Sequence, residues 1–98
     1  MDFDEYQEKA ALTDQFPDKS TDSALMIPLL GLAGETGTLL AEFKKKIRDK
    51  ESYEAFRERA EEELGDVLWY LSNLASHLKL PLAQSLIKIY TRRRNAGR

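Results

Sequence analysis

The sequence predicts an all-α fold of four helices joined by short loops. Three observations predict it. Apolar residues recur at three- and four-residue spacing along most of the 98-residue chain. No segment alternates apolar and polar residues between hairpin turns. Turn-forming residues gather at a few points and divide the periodic runs into four.

The first run, "MDFDEYQEKAALTDQF", puts Phe3, Tyr6, Ala10 and Thr13 on one face and predicts a helix over 2–15. Asp2 is placed to cap it, with Glu5 three residues on. "PDKSTDS" then predicts a loop. A second helix is expected from near Thr21–Ser23 to Arg48, with Leu25, Leu29, Leu32, Leu39, Phe43 and Ile47 as its apolar stripe. Pro28 is its weak point, since an interior proline kinks or delays a helix. After the break "RDKES", a long third helix is expected over 53–78. Pro81 is suited to open a fourth, running to Arg93 with Leu82, Leu86, Ile89 and Tyr90 inward. The tail from Arg94 on is expected to fray.

Composition narrows the functional classes. Hydrophobic residues make up 42% of the chain and charged residues 33%, the profile of one soluble domain spanning 1–98. So short a domain buries a modest core, and a homodimer or homotetramer is the expected supplement. The net charge of −2 argues against a general nucleic-acid binder. The absence of cysteine excludes disulfides, thiolate metal sites and cysteine nucleophiles, and suits a reducing compartment. No signal-like segment and no apolar run near 18 residues stands out, so a cytoplasmic protein without a membrane partner is expected.

Two helix faces carry candidate chemistry. On the third helix, Leu64, Val67, Leu68, Leu71, Leu74, Ala75 and Leu78 form a wide apolar stripe. Beside it runs a second stripe, Glu63, Asp66, Tyr70 and Asn73, bordering the core. Glu63 and Asp66 are one turn apart and repel each other. They read either as solvated acids or as half of a cation site. Glu35, at the rim of the second helix's apolar stripe, faces them if the two helices pack antiparallel. Three converging carboxylates call for a hard cation, Mg²⁺ or Mn²⁺ rather than zinc. Gly31, Gly34, Gly37 and Gly65 all lie within four residues of these acids. In a helix each costs about 1 kcal/mol relative to alanine, and close packing around a site is the expected compensation.

At these residues the chain resembles the MazG-like branch of the all-α nucleoside triphosphate pyrophosphohydrolases. "GLAGETGTLLAEFKK" is similar to that family's first acidic motif, and "EELGDVLWYLSNLA" to its Glu-x-x-Asp motif. The resemblance implies a MazG-type domain that cleaves an NTP or dNTP, with Mg²⁺ or Mn²⁺, to a nucleoside monophosphate and pyrophosphate. It implies Glu35, Glu63 and Asp66 as metal ligands acting catalytically through the metal. It also implies an oligomer whose clefts are completed by helix packing. Tyr70 and Asn73 would contact base or sugar, and Thr38 could at most hold a metal-bound water. Gly34 and Thr38 stand where the family pattern has acids. The alternative is therefore a nucleotide- or metal-binding or helical interaction module with weakened turnover.

The remaining residues are read more simply. Glu42 is expected to be a solvated acid about 10 Å from Glu35. Trp69 is expected in the core or a subunit interface. His77 is expected at a helix C-terminus, without a ligand role. Lys44–Lys46 is expected to be a solvated helix end and Arg92–Arg94 a solvated tail.

Overall fold

A computed structural model describes residues 1–14 and 22–97. Four α-helices follow one another: α1 (Phe3–Leu12), α2 (Asp22–Asp49), α3 (Phe56–His77) and α4 (Leu82–Ala96). A single 3₁₀ turn, Lys50–Ser52, joins α2 to α3. No strand occurs among the described residues.

Local chemistry sets the boundaries. Asp2 caps α1, its Oδ1 accepting from the Glu5 amide at 2.8 Å. Glu5 does not complete the reciprocal half of a capping box but pairs with Lys9 at 3.3 Å. Thr13 ends α1 at Leu12, earlier than expected, with its hydroxyl donating to Ala10 O at 2.8 Å. Most of the loop expected at "PDKSTDS" lies outside the described residues, and α2 begins at Asp22 within it. α2 runs unbroken through Pro28. Lys50 and Lys79 take positive φ, 52° and 60°, where the chain turns into and out of α3. α4 extends to Ala96, three residues past the expected end at Arg93. Nothing in "RRRNA" breaks a helix, and Gly97 is the first residue to end it.

The α2–α3 pair is an antiparallel hairpin. Near its turn, the Phe43 and Phe56 rings meet edge to face at 5.1 Å, and Tyr53 stands 6.3 Å from Phe56. Farther up, the Tyr70 ring lies on Gly31, where a methyl group would overlap it. α1 crosses α3 at its other end. There Trp69 Nε1 donates to Thr13 Oγ1 at 2.7 Å, and Gln7 Nε2 donates to Ser76 Oγ at 3.1 Å. Gln7 also grips the α3–α4 turn, donating to Leu80 O at 2.9 Å and accepting from the Leu82 amide at 2.8 Å.

The expected core is corrected. Among the described residues the fully buried apolar ones are small or few: Ala10, Ala24, Ala75 and Leu82. Leu29, Phe43 and Ile47 of the α2 stripe are exposed, as are Leu64, Leu71 and Leu78 of α3, and Leu86, Ile89 and Tyr90 of α4. On α3 the buried positions are Ser72, Asn73, Ala75 and His77, while Val67, Leu68 and Leu74 of the apolar stripe are half-buried. The physical reason is that α2 packs on α3 along its Tyr70 side, which leaves Leu64, Leu71 and Leu78 uncovered. The result is open: the radius of gyration is 16.0 Å, against about 13 Å for a compact chain of this length.

The glycines also divide. Gly31 is required for close approach, whereas Gly34, Gly37 and Gly65 face open space. Gly31→Ala is therefore expected to lower stability by about 1–3 kcal/mol, by driving a methyl into Tyr70. Gly37→Ala is expected to raise it by about 1 kcal/mol. Urea denaturation measures both, and equal effects would show that the close contact does not belong to Gly31.

Candidate functional site

Glu35 from α2 and Glu63 and Asp66 from α3 converge. One oxygen from each lies within 4.8 Å of the others. Glu35 and Glu63 are half-buried, and Asp66 is exposed. The hairpin produces this meeting. Glu35 is one turn beyond Gly31, and Asp66 is one turn before Tyr70, so the contact that seats the ring also sets the acids opposite each other.

The cluster is electrostatically loaded. Glu63 Oε2 is closed to solvent and has no hydrogen-bond partner. The Glu63 carboxyl is held above its ordinary value of 4.5, first by a hydrogen bond to Glu35 that needs a proton. Burial raises it further, as does repulsion from Glu35 and Glu42, with Arg59 opposing. Such a group of oxygens, acceptors only when ionised, is satisfied by a proton or by a hard cation. The unpartnered Glu63 oxygen and the all-oxygen donor set fit Mg²⁺ or Mn²⁺.

Glu42 departs from its expected role as a solvated acid. It is buried on the α3 side of α2, accepts from the Tyr53 hydroxyl, and pairs with Lys45 at 3.3 Å. These partners hold its carboxyl below the usual range, the Tyr53 bond most of all. Lys45 and Lys46 also lie over the Tyr53 and Phe56 rings, at 5.8 and 5.9 Å. They thus support the α2–α3 turn, while Lys44 and Lys45 remain exposed as expected. Thr38 is not brought to the cluster by any bond: it is exposed, and its hydroxyl donates to Gly34 O at 3.1 Å.

Tyr70 and Asn73 stand farther along α3, in a different wall. With Thr13, Asp14, Ile27, Pro28 and Trp69 they line a cleft of about 410 Å³. Trp69 meets Tyr70 edge to face at 5.0 Å. Asn73 is only 2% exposed. His77 is more than a helix-end cation: it is buried, with Nε2 2.8 Å from Asp14 Oδ2.

Sequence reasoning paired Glu35 with Glu63 and Asp66 and placed Tyr70 and Asn73 on their stripe. It missed the Glu42–Tyr53 pair and the Asp14–His77 pair. Each joins a helical residue to one in a connecting segment, and only tertiary packing selects the partner. The one available signal was that Glu42 shares the Glu35 face, two turns on.

Comparison with known proteins finds a relative in the gene 37 protein of Mycobacterium phage L5. The two are 35% identical over 88 residues, covering 85% of this chain and 77% of that protein. No family model matches the chain. No solved structure matches it either.

Proton sharing at Glu63 has a measurable sign. Its folded pKa is raised, so the folded state binds the proton more tightly than the unfolded state. That contribution to stability is full below 4.5 and is lost as pH rises through the raised value. With a chelator present, the melting temperature of Glu63→Gln minus that of the native protein should grow with pH across this window. Millimolar Mg²⁺ should shrink the difference by stabilising only the native protein. A difference flat in pH under chelation would refute the sharing.

Proposed function

We propose that this chain, which belongs to the family of the Mycobacterium phage L5 gene 37 protein, is a Mg²⁺-dependent nucleoside triphosphate pyrophosphohydrolase. The observation that carries the reading is the convergence of Glu35, Glu63 and Asp66 from two helices, with oxygens within 4.8 Å of one another. The likeness of "GLAGETGTLLAEFKK" and "EELGDVLWYLSNLA" to the motifs of MazG-like pyrophosphohydrolases supports it.

In this reading Glu35, Glu63 and Asp66 hold Mg²⁺, with Mn²⁺ as a substitute. The bound cation supplies charge neutralisation at phosphate oxygens and a water of lowered pKa. The protein's own part is positioning. The acids on α2 and α3 fix where the triphosphate lies, and a carboxylate oxygen orients water in line with the α-phosphorus. Water adds to that phosphorus, the bond to the bridging oxygen breaks, and pyrophosphate leaves with a nucleoside monophosphate as the other product. Tyr70 and Asn73, about 6 Å and about 10 Å from Asp66 along α3, would meet base or sugar.

A second reading has its own observation. Thr38 directs its hydroxyl proton to the helix backbone, and Gly34 offers no side chain, so three acids stand where the resembled motif has more. This reading is a module that binds metal or nucleotide without turnover.

Pyrophosphate release from a panel of NTPs and dNTPs, with Mg²⁺ or Mn²⁺, separates the two. Hydrolysis is expected, and Glu63→Gln and Asp66→Asn should each reduce it at least about 100-fold. Thermal stabilisation by nucleotide without product would favour the binding module. Activity unchanged in both variants would remove the acids from the mechanism.

The assembly reading rests on the uncovered apolar faces. The expectation that no apolar run nears 18 residues is corrected, since the helical segment Ala24–Ser52 is long and apolar enough to cross a membrane by length and composition. Glu35 lies within that segment and joins the acids of α3, which favours covering by a second copy over insertion in lipid. Light scattering on detergent-free protein at micromolar concentration should give two or four times the 11.2 kDa chain mass. A mass of one chain would overturn the assembly.

A further inference from the structure

We propose that α4 binds a second copy of this chain, lying antiparallel along the partner's α3 with Arg93 against the partner's Glu61. The inference rests on the assembly reading above and specifies its surface; it is independent of hydrolysis.

An unsupported helix is the starting point. Beyond Ala83, every residue of 84–97 is exposed. A helix of 15 residues is marginal in water on its own. Ile87, Ile89 and Thr91 are β-branched and lower its propensity, and Pro81 gives it no side-chain cap. Leu86, Ile87, Ile89 and Tyr90 are large apolar groups left without cover. α4 therefore calls for a surface that meets it along its length.

Area says how large that surface is. The chain exposes 7580 Å², whereas a compact monomer of 11.2 kDa exposes about 5,700 Å². The excess, roughly 1,900 Å² per chain, falls within the share that each subunit of an obligate homodimer buries, about 1,000–2,500 Å². Charge says whose surface it is. Residues 79–98 carry six basic side chains and no acid, while 1–78 holds all 17 acids and nine basic side chains. The chain is thus complementary to itself, and its acidic part repels nucleic acid and anionic lipid.

The two helices also carry matching seams. On α3, Leu64, Leu68, Leu71, Ala75 and Leu78 alternate steps of four and three residues, the pattern of a coiled-coil seam. Leu64, Leu71 and Leu78 of that seam are exposed. On α4, Leu82, Leu86 and Ile89 repeat the same steps. Leu71, Leu78, Leu86 and Ile89 line one furrow of about 460 Å³, so the two seams open on the same side. The next position on the α4 seam is Arg93, and the position before Leu64 on the α3 seam is Glu61; both are exposed. Antiparallel pairing with Ile89 over the partner's Leu64 brings Arg93 to the partner's Glu61 one turn on, an ion pair that fixes the register. Two-fold symmetry makes the exchange mutual, each α4 covering the other copy's α3.

Light scattering and far-UV circular dichroism of the full chain test this together. The native protein is expected at two or four chain masses, and Ile89→Asp should halve that mass and lower the helix content. Arg93→Glu and Glu61→Arg should each weaken association at least about tenfold, and the two combined should restore it. An unchanged mass in Ile89→Asp would overturn this inference and leave assembly standing through another face. Charge reversals without effect, or without mutual rescue, would overturn the Arg93–Glu61 register. A native mass of one chain would overturn the assembly reading and this inference together. A native chain of single mass that binds anionic vesicles or single-stranded nucleic acid through Arg92–Arg94 would assign α4 to that partner instead.

Discussion

The contact between the Tyr70 ring and the bare backbone of Gly31 organises everything else in this molecule. It lets α2 and α3 approach closely at one point, and that point sets their mutual register. With Tyr70 opposite Gly31, the next turn toward the hairpin brings Glu35 opposite Glu63 and Asp66. A side chain at position 31 would push the helices apart. Other faces would then meet, and the acids would be free to separate into solvent.

That register is not what electrostatics alone would choose. Like charges brought together across a partly dry seam repel, and the raised Glu63 pKa expresses that repulsion together with proton sharing. The structure offsets it nearby rather than at the cluster. Glu42, on the same face, is tied down by Tyr53 and Lys45, and Phe43 packs on Phe56 at the turn. The hairpin is thus clamped at both ends, with the acids strained between the clamps. An arrangement that concentrates unmet negative charge is poor as scaffold and useful as a receptor for positive charge.

Much of the fold was legible because the signals were local. Asp2 as a cap, the turn after Asp49 and the proline before α4 follow from single residues and their neighbours. The meeting of Glu35 with Glu63 and Asp66 was legible because it needs only helical period and an antiparallel hairpin. What was not legible was which residues of α3 the other helices cover. Leucine spacing pointed to Leu64, Leu71 and Leu78, yet the chain buries Ser72, Asn73 and His77. Period identifies a face; it does not say whether the face is covered by the same chain or by another. Nor does it separate four similar glycines, of which the surroundings make only Gly31 a packing residue among those in the helices.

One amide side chain has a reach that its exposure belies. Gln7 spans Ser76, Leu80 and Leu82, so a residue of the short first helix governs the angle at which the last helix leaves the bundle. Beyond Leu82 the large apolar residues of α4 are mostly exposed, and polar bonds at its start help set its direction. The leucine-lined furrow between α3 and α4 has Leu80 and Leu82 in its wall, the two residues whose backbone Gln7 holds. Whatever loosens the N-terminal helix therefore also resets the mouth of a furrow on the far side of α3, a lever running through the turn rather than through the core.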